Sequence, residues 1–373
     1  MIKISVSASK QYNVIMEKGL MASSGDYIKE AFTLKSDPVT GKIRNKKLCI
    51  VTDANVDALY GGRDQALQTS LSAAGFDIYK YVFDGGEENK NMKTICGILD
   101  FLANNKFTRS DLLLALGGGI TGDVTGFAAA TYLRGIDFIQ VPTTLLAIVD
   151  SSVGGKTGVN LNAGKNLAGA FWQPGLVLFD PDVLDTLSYD IKLDGIAEAI
   201  KAGAIADPEI IDMIRNSTAA EDHGFLMEIA ARAIRVKRKV VEEDERDHGS
   251  RQLLNFGHTL AHAIEKCSSF SISHGHAVAI GMDIVSAASQ KSGWSDESCS
   301  GIITETLEKF SFPLKCPFSA RELTEAALQD KKIRGAEITL VIPEAIGRCV
   351  LRTIPVEDLE SFISCGLQSR KDK

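Results

Sequence analysis

Short apolar runs alternate with amphipathic stretches through the first half of the chain. KLCIVTD (47–53), DLLLALG (111–117), DFIQVPTT (137–144) and LVLFDP (176–181) each end on turn or polar residues and predict strands. Helical periodicity fills the intervals, as at 62–74, 91–105 and 122–132. That rhythm predicts an α/β domain with a parallel-type sheet, its ligand-binding loops at the carboxyl ends of the strands. The stretch MIKISVSASKQYNVIMEKG alternates like a strand, YKYVF is strand-like, and SDPVTGKIRNKK (36–47) reads as an exposed loop without function. After about residue 187 amphipathic helical segments dominate, at 191–204, 222–244, 251–267, 276–292, 296–309 and 320–331. The β-like runs ITLVIP and CVLRTIP follow, then a closing helix in VEDLESFIS. The expected division is an α/β domain over 1–186 and a mostly α-helical domain over 187–373.

At 373 residues the chain exceeds the usual single-core size, in keeping with two domains. It is 45% hydrophobic and 24% charged, ordinary for a globular protein. No apolar run reaches the ~20 residues needed to span a bilayer, and the amino terminus lacks the basic-then-apolar pattern of a signal peptide. Seven cysteines without CxxC or zinc-finger spacing predict free thiols in a reducing cytoplasm. A net charge of −7 argues against nucleic acid or an anionic membrane as partner. Any anionic ligand must then be held by local cations.

Three potential metal ligands come from distant segments: Glu198 in GIAEAIK, His258 in NFGHTLAHAIE and His274 in SHGHAV. Two imidazoles and a carboxylate are a usual set for a catalytic divalent metal such as zinc that keeps an open position. His258 and His262 are four apart and share a helix face, although an HxxxH pair alone more often marks a polar stripe. Upstream, DLLLALGGGITGDVTGFAAATY reads as strand, glycine turn and helix start, with Gly117, Gly119 and Gly122 satisfying GxGxxG. Such a turn lets backbone N–H groups approach a pyrophosphate at a helix amino terminus. The ribose candidate, Asp53, lies upstream of the turn instead of ~20 residues downstream, so any dinucleotide site is not of the standard arrangement. GEENK (86–90) adds Glu87 and Lys90, which alone would read as a solvated charge pair.

GGGITGDVTGFAAATYLRGIDFIQVPTTLLAIVDSSVGGKTGVNLNAGKNLAGAF closely resembles the central signature of 3-dehydroquinate synthases. GIAEAIK, KRKVVEEDERDHGSRQLLNFGHTLAHAIE, SHGHAVAIGM and DKKIRG resemble the remaining blocks of that family in the same order, so the likeness runs through roughly 47–355. The resemblance implies a two-domain enzyme with NAD in the α/β half, a helical second half and an active site in the cleft between them. It implies conversion of 3-deoxy-D-arabino-heptulosonate 7-phosphate (DAHP) to 3-dehydroquinate and phosphate, in the shikimate pathway. The chemistry implied is transient oxidation by NAD, phosphate elimination, reduction, ring opening and an intramolecular aldol closure.

By motif position Glu198, His258 and His274 match the family's ligands for zinc or cobalt. Asp53, Asn55, Glu87, Lys90, Gly118, Gly119, Ile120, Asp123, Thr143 and Thr144 match its NAD contacts, with Lys156 and Lys165 beside them. Asp150, Lys156, Lys165, Asn166, Lys201, Lys237, Arg251, Asn255 and His262 match substrate and catalytic positions. Arg134 resembles an arginine that reaches the phosphate from a partner subunit, which implies a homodimer. Lys331 and Lys332 both fit the family's last lysine. Departures are His276 and Asp247 where glutamate is commoner, Ala202 where tyrosine is common, and Ala261 in place of glycine. The rival readings are a sibling sugar-phosphate cyclase, of the 2-epi-5-epi-valiolone or 2-deoxy-scyllo-inosose synthase type, and a metal-dependent polyol dehydrogenase. Arg251 favours the acid substrate, because sibling substrates carry no carboxylate for its planar fork.

Overall fold

The computed structural model describes residues 1–32, 46–217, 222–329 and 336–368, with the backbone alone at 333–334. Most of the loop read at 36–47 and both candidate lysines, Lys331 and Lys332, lie outside the described residues. The chain forms two compact units, Met1–Leu187 and Ser188–Lys373.

The first unit opens with an antiparallel hairpin, β1 (Ile2–Ser7) and β2 (Gln11–Met16), where the alternation had suggested a single strand. After α1 (Ser24–Ala31) come β3 (Lys47–Asp53), α2 (Ala54–Tyr60), α3 (Ala66–Ala73), β4 (Asp77–Phe83) and α4 (Met92–Asn104). Then follow β5 (Leu112–Gly117), α5 (Gly119–Thr131), β6 (Asp137–Pro142), a hairpin of β7 (Lys156–Leu161) and β8 (Gly164–Phe171), and β9 (Leu176–Phe179). Seven strands make one sheet in the order β1-β2-β9-β6-β5-β3-β4, parallel throughout except at the β1–β2 edge. Every residue of β5 and β9 is buried, which explains their unbroken apolar runs: a parallel strand covered on both faces has no polar side. Ile95, Ile98 and Leu102 of α4 and Val124 and Ala128 of α5 pack on Val51, Leu113 and Phe138 to fill one of those faces.

The path of the sheet reverses between β3 and β5. From β3 the chain steps outward to β4, then returns to the other side of β3 as β5 and continues outward to β6. In open α/β sheets the crevice outside the carboxyl ends at such a reversal is where ligands bind. The strands flanking it end at Asp53 and Gly117, two residues singled out from the sequence.

The second unit contains α6 (Tyr189–Ala206), α7 (Pro208–Asn216), α8 (His223–Glu243), α9 (His258–Cys267), α10 (His274–Lys291), α11 (Cys299–Lys309) and α12 (Ala320–Leu328). A small antiparallel sheet of β10 (Ile333–Arg334), β11 (Glu337–Ala345) and β12 (Arg348–Pro355) precedes α13 (Leu359–Gln368). Helices α6 and α10 are buried on nearly all sides, as central helices of a bundle must be. The helix expected over 251–267 is two pieces: a 3-10 turn at Ser250–Asn255, then α9. Gly257 makes the break at φ +77, and a side chain there would press within 2.7 Å of Met282 Cγ.

Candidate functional site

At the carboxyl end of β5 the glycine turn becomes the amino terminus of α5. Gly118 caps α5 without any side-chain hydrogen bond, and no acidic residue occupies the first turn. The helix start is therefore suited to an anion, which its backbone N–H groups and dipole favour. Gly117 is held close: an added Cβ would lie 2.4 Å from Thr121 Oγ1, and its carbonyl accepts from Thr143 N at 3.0 Å. At Gly118 an added Cβ would meet Thr144 Cγ2 at 3.4 Å, so Thr143 and Thr144 border the turn, whereas Ile120 is half-buried one step into α5. Across the reversal, Asp53 caps α2: its Oδ1 accepts from Asn55 N at 3.0 Å and Val56 N at 3.1 Å. Thr121 donates to the other oxygen at 3.4 Å, which ties the β3 end to the turn.

Beside this end of the sheet lies a network of charges. Lys90 Nζ, buried, donates to Asp123 Oδ2 at 2.5 Å and to Asn166 Oδ1 at 2.7 Å. Glu87 and Lys90 are thus not the solvated pair that their spacing suggested. Glu87 Oε1 accepts from Asn160 Nδ2 at 2.8 Å and lies 3.8 Å from Lys165 Nζ. Burial raises the Asp123 carboxyl above its ordinary range, and the Lys90 ammonium pulls it back. Asn160, which sequence reasoning missed, also accepts from Asn166 N at 2.9 Å and donates its own N–H to the Lys90 carbonyl at 2.8 Å. The glycine-rich GGKTGVNLNAGKN stretch contributes to the β7–β8 hairpin. Lys156 opens β7, exposed, and Asp150 lies on a π-helical turn at Ala147–Ser151. Arg134 sits in an exposed turn with φ +67 beyond the far end of α5. Thirteen residues of helix span about 20 Å, so it is remote from the glycine turn at the other end.

In the second unit the three proposed metal ligands converge. Glu198 is on α6, His258 opens α9 and His274 opens α10, and one ligand atom from each lies within 4.8 Å of the others. Both imidazole Nε2 atoms are 3.4 Å from the same oxygen, Glu198 Oε1. Lys201, one turn along α6, is ion-paired with Glu198 Oε2. The Glu198 side chain is 2% exposed, and neither of its oxygens accepts a hydrogen bond. Lys201 compensates the charge of this buried carboxylate from one side, while two imidazole Nε2 atoms converge on its other oxygen, a carboxylate-and-two-histidine donor set that suits a divalent ion. Phe256 O accepts from His258 Nδ1 at 3.1 Å, and Glu265 Oε2 lies 3.5 Å from His274 Nδ1. Burial disfavours the charged form of His274, yet the flanking Glu198 and Glu265 outweigh it and push the imidazole up to about 10. The surroundings therefore call for positive charge.

His262 joins the cluster, its ring 5.7 Å from that of His258 and 6.4 Å from that of His274. Lys237 is buried on α8. Arg251, 2% exposed in the 3-10 turn, donates its backbone N–H to Asp244 at 3.1 Å and its Nη1 to the Glu245 carbonyl. Asn255 ends the same turn, half-buried. Of the departures, His276 is turned to Asp194, with Nδ1 3.1 Å from its Oδ1, and to Ser273 at 2.7 Å. Among the described residues no helix is long and apolar enough to cross a membrane.

Comparison with known proteins covers nearly the whole chain. Residues 80–193 match the family model for the 3-dehydroquinate synthase N-terminal domain, and 195–333 match that for the C-terminal domain. The 3-dehydroquinate synthase of Streptococcus suis (strain 05ZYH33) is 40% identical over 358 residues, covering 94% of this chain and 96% of that protein. Among solved structures, 2-deoxy-scyllo-inosose synthase complexed with carbaglucose-6-phosphate, NAD+ and Co2+ superposes with a TM-score of 0.85 at 22% identity, over 97% of this chain and 99% of the other. The 2-epi-5-epi-valiolone synthase of Streptomyces hygroscopicus subsp. jinggangensis 5008, with NAD+ and Zn2+ bound, gives 0.83 at 25% identity, over 99% and 100%.

Proposed function

This chain belongs to the 3-dehydroquinate synthase family, and we propose that it converts DAHP to 3-dehydroquinate and phosphate, with NAD and a divalent metal, zinc or cobalt, as cofactors. The observation that carries this reading is the convergence of Glu198, His258 and His274 in a chain whose two halves each match that family. It is a phosphate-eliminating cyclase, a carbon–oxygen lyase. When bound, the metal supplies Lewis acidity toward a substrate hydroxyl and NAD a reversible hydride acceptor.

The chain's own residues divide the remaining work. Gly118, Gly119 and Ile120 at the α5 start, with Thr143 and Thr144, receive the pyrophosphate, and Asp53 with Asn55 faces the ribose. Glu87, Lys90, Asp123 and Lys165 hold the β7–β8 hairpin in register with that site through Asn160 and Asn166. Glu198, His258 and His274 hold the metal. Arg251, anchored by the Glu245 carbonyl, presents a pre-oriented fork to the substrate carboxylate, and Asn255 lies beside it. Lys156, Lys201 and Lys237 supply the point charges that a net-acidic protein needs for a phosphate ester, with Asn166 and Asp150 as polar contacts. His262 is positioned to exchange a proton next to the metal ligands. Arg134, about 20 Å from the glycine turn of its own chain, serves the phosphate of a second copy, so the enzyme works as a homodimer. Seven free cysteines accord with a cytoplasmic setting.

The test supplies purified protein with DAHP, NAD and zinc and follows phosphate, dehydroquinate and NADH absorbance. Equal release of phosphate and dehydroquinate without net NADH is expected. Faster turnover of sedoheptulose 7-phosphate, which has no carboxylate, would transfer the assignment to the sibling cyclases. Net NADH from glycerol would transfer it to the polyol dehydrogenases.

A further inference from the structure

Resting on the metal reading of Glu198, His258 and His274, we propose that Glu265 is a positioning residue that fixes the ring of His274 and strengthens the hold of the site on its metal. Glu265 lies seven residues after His258 on α9, two turns along the same face, and is 6% exposed. That spacing is a sequence signal, legible only once the partner on α10 is known.

Each metal-site histidine has its Nδ1 engaged and its Nε2 facing Glu198 Oε1. With an ion on Nε2, Nδ1 is the nitrogen left to hold the proton and donate it to its partner. The two partners differ in charge. His258 leans on a neutral carbonyl, that of Phe256, whereas His274 faces a carboxylate. They also differ in confinement, the His258 side chain being 9% exposed and that of His274 29% exposed. The ring with less packing around it is the one given a charged orienter. Both rings open helices, where partial positive charge opposes a bound cation. Glu265 offsets that opposition at α10. A second carboxylate also balances the charge of Lys201, which already neutralises Glu198.

Zinc affinity of the full-length protein is measured by competition with a chromophoric chelator for wild type, Glu265→Gln, Glu265→Asp and His274→Ala. Glu265→Gln keeps the size and removes the charge, and should bind zinc ~10- to 100-fold more weakly, the usual effect of losing a partner of a ligating histidine. Glu265→Asp should recover part of the loss, the visible absorption of the cobalt-loaded Glu265→Gln protein should shift, and NAD affinity should be unchanged. Zinc binding by Glu265→Gln within about threefold of wild type, with the cobalt spectrum intact, overturns the inference. So does a metal-free Glu265→Gln protein that has lost its far-ultraviolet circular dichroism while Glu265→Asp binds like wild type, since the role would then be structural. The His274→Ala arm separates the two readings. If it binds zinc like wild type, the metal site itself is wrong; if it loses zinc while Glu265→Gln keeps it, only the role of Glu265 is.

Discussion

In the first unit Lys90 meets Asp123 and Asn166, and Glu87 meets Asn160 and Lys165, so that each charge leans on a partner from another segment. In the second, one buried carboxylate faces two imidazoles and a lysine yet accepts no hydrogen bond. The first arrangement is a closed polar network that braces a hairpin against a sheet end. The second concentrates a carboxylate and two imidazoles at one point, with a lysine against the carboxylate's far oxygen, which is the donor set of a divalent metal. Position in the fold accounts for much of the difference. Strand ends and loops can adjust until donors and acceptors match, whereas Glu198, His258 and His274 are fixed on three packed helices. A polar cluster that satisfies itself reads as support, and one that cannot reads as a binding centre.

The largest effect that could break this contrast comes from the helices. His258→Ala should abolish metal uptake, and turnover should fall roughly a thousand-fold, because a catalytic metal contributes several kcal/mol to the transition state. Full turnover by a metal-free His258→Ala protein would remove the distinction altogether. In the first unit Lys90→Met should destabilise the fold by ~3–5 kcal/mol, the effect of breaking a buried pair from one side, read by urea unfolding. Its pH dependence has a definite sign. Burial already raises Asp123 above its unfolded value, and loss of Lys90 raises it further. The native state of the variant then binds that proton more tightly, so the contribution of Asp123 to stability should be greatest below about pH 4 and be lost as pH rises through the folded value, widening the stability gap to wild type. A flat profile would show that Asp123 is not buried as described.

Arg251→Ala should cost ~2–5 kcal/mol in DAHP turnover with NAD binding intact, and Arg251→Lys should recover only part, lacking the fork. Smallest is Asn160→Ala, expected to lower stability by about 1 kcal/mol through loss of the Glu87 contact. If Asn160→Ala proved as damaging as Lys90→Met, the hairpin and not the ion pair would be the anchor.

Much of this was legible before any coordinates. KLCIVTD is β3 to the residue, and 222–244 differs from α8 by one residue at each end, because a buried strand and a long amphipathic helix each carry an unbroken pattern. The β7–β8 hairpin was not legible, since its glycines and polar residues mimic a loop and its pairing lies in backbone contacts. There an added Cβ on Gly158 would meet the Ala168 carbonyl at 2.6 Å. The break before α9 hid for a related reason: one left-handed glycine interrupts a pattern whose apolar spacing runs on. α7, at Pro208–Asn216, was missed because it is short and follows α6 without a loop. The metal ligands were visible as residue types in recognisable motifs, but Asn160 and Glu265 depend on partners that only the fold identifies.

That all three metal ligands belong to one unit has a consequence for heat. An ion that binds the folded unit and not the unfolded chain adds RT ln(1 + [M]/Kd), about 2.7 kcal/mol at a hundred times Kd. The ion is held by Ser188–Lys373, since Met1–Leu187 contributes no ligand to the Glu198, His258 and His274 cluster. Calorimetry at rising zinc concentration should therefore show the melting transition that includes the helical unit moving upward. The melting curve becomes a gauge of free metal, read in degrees.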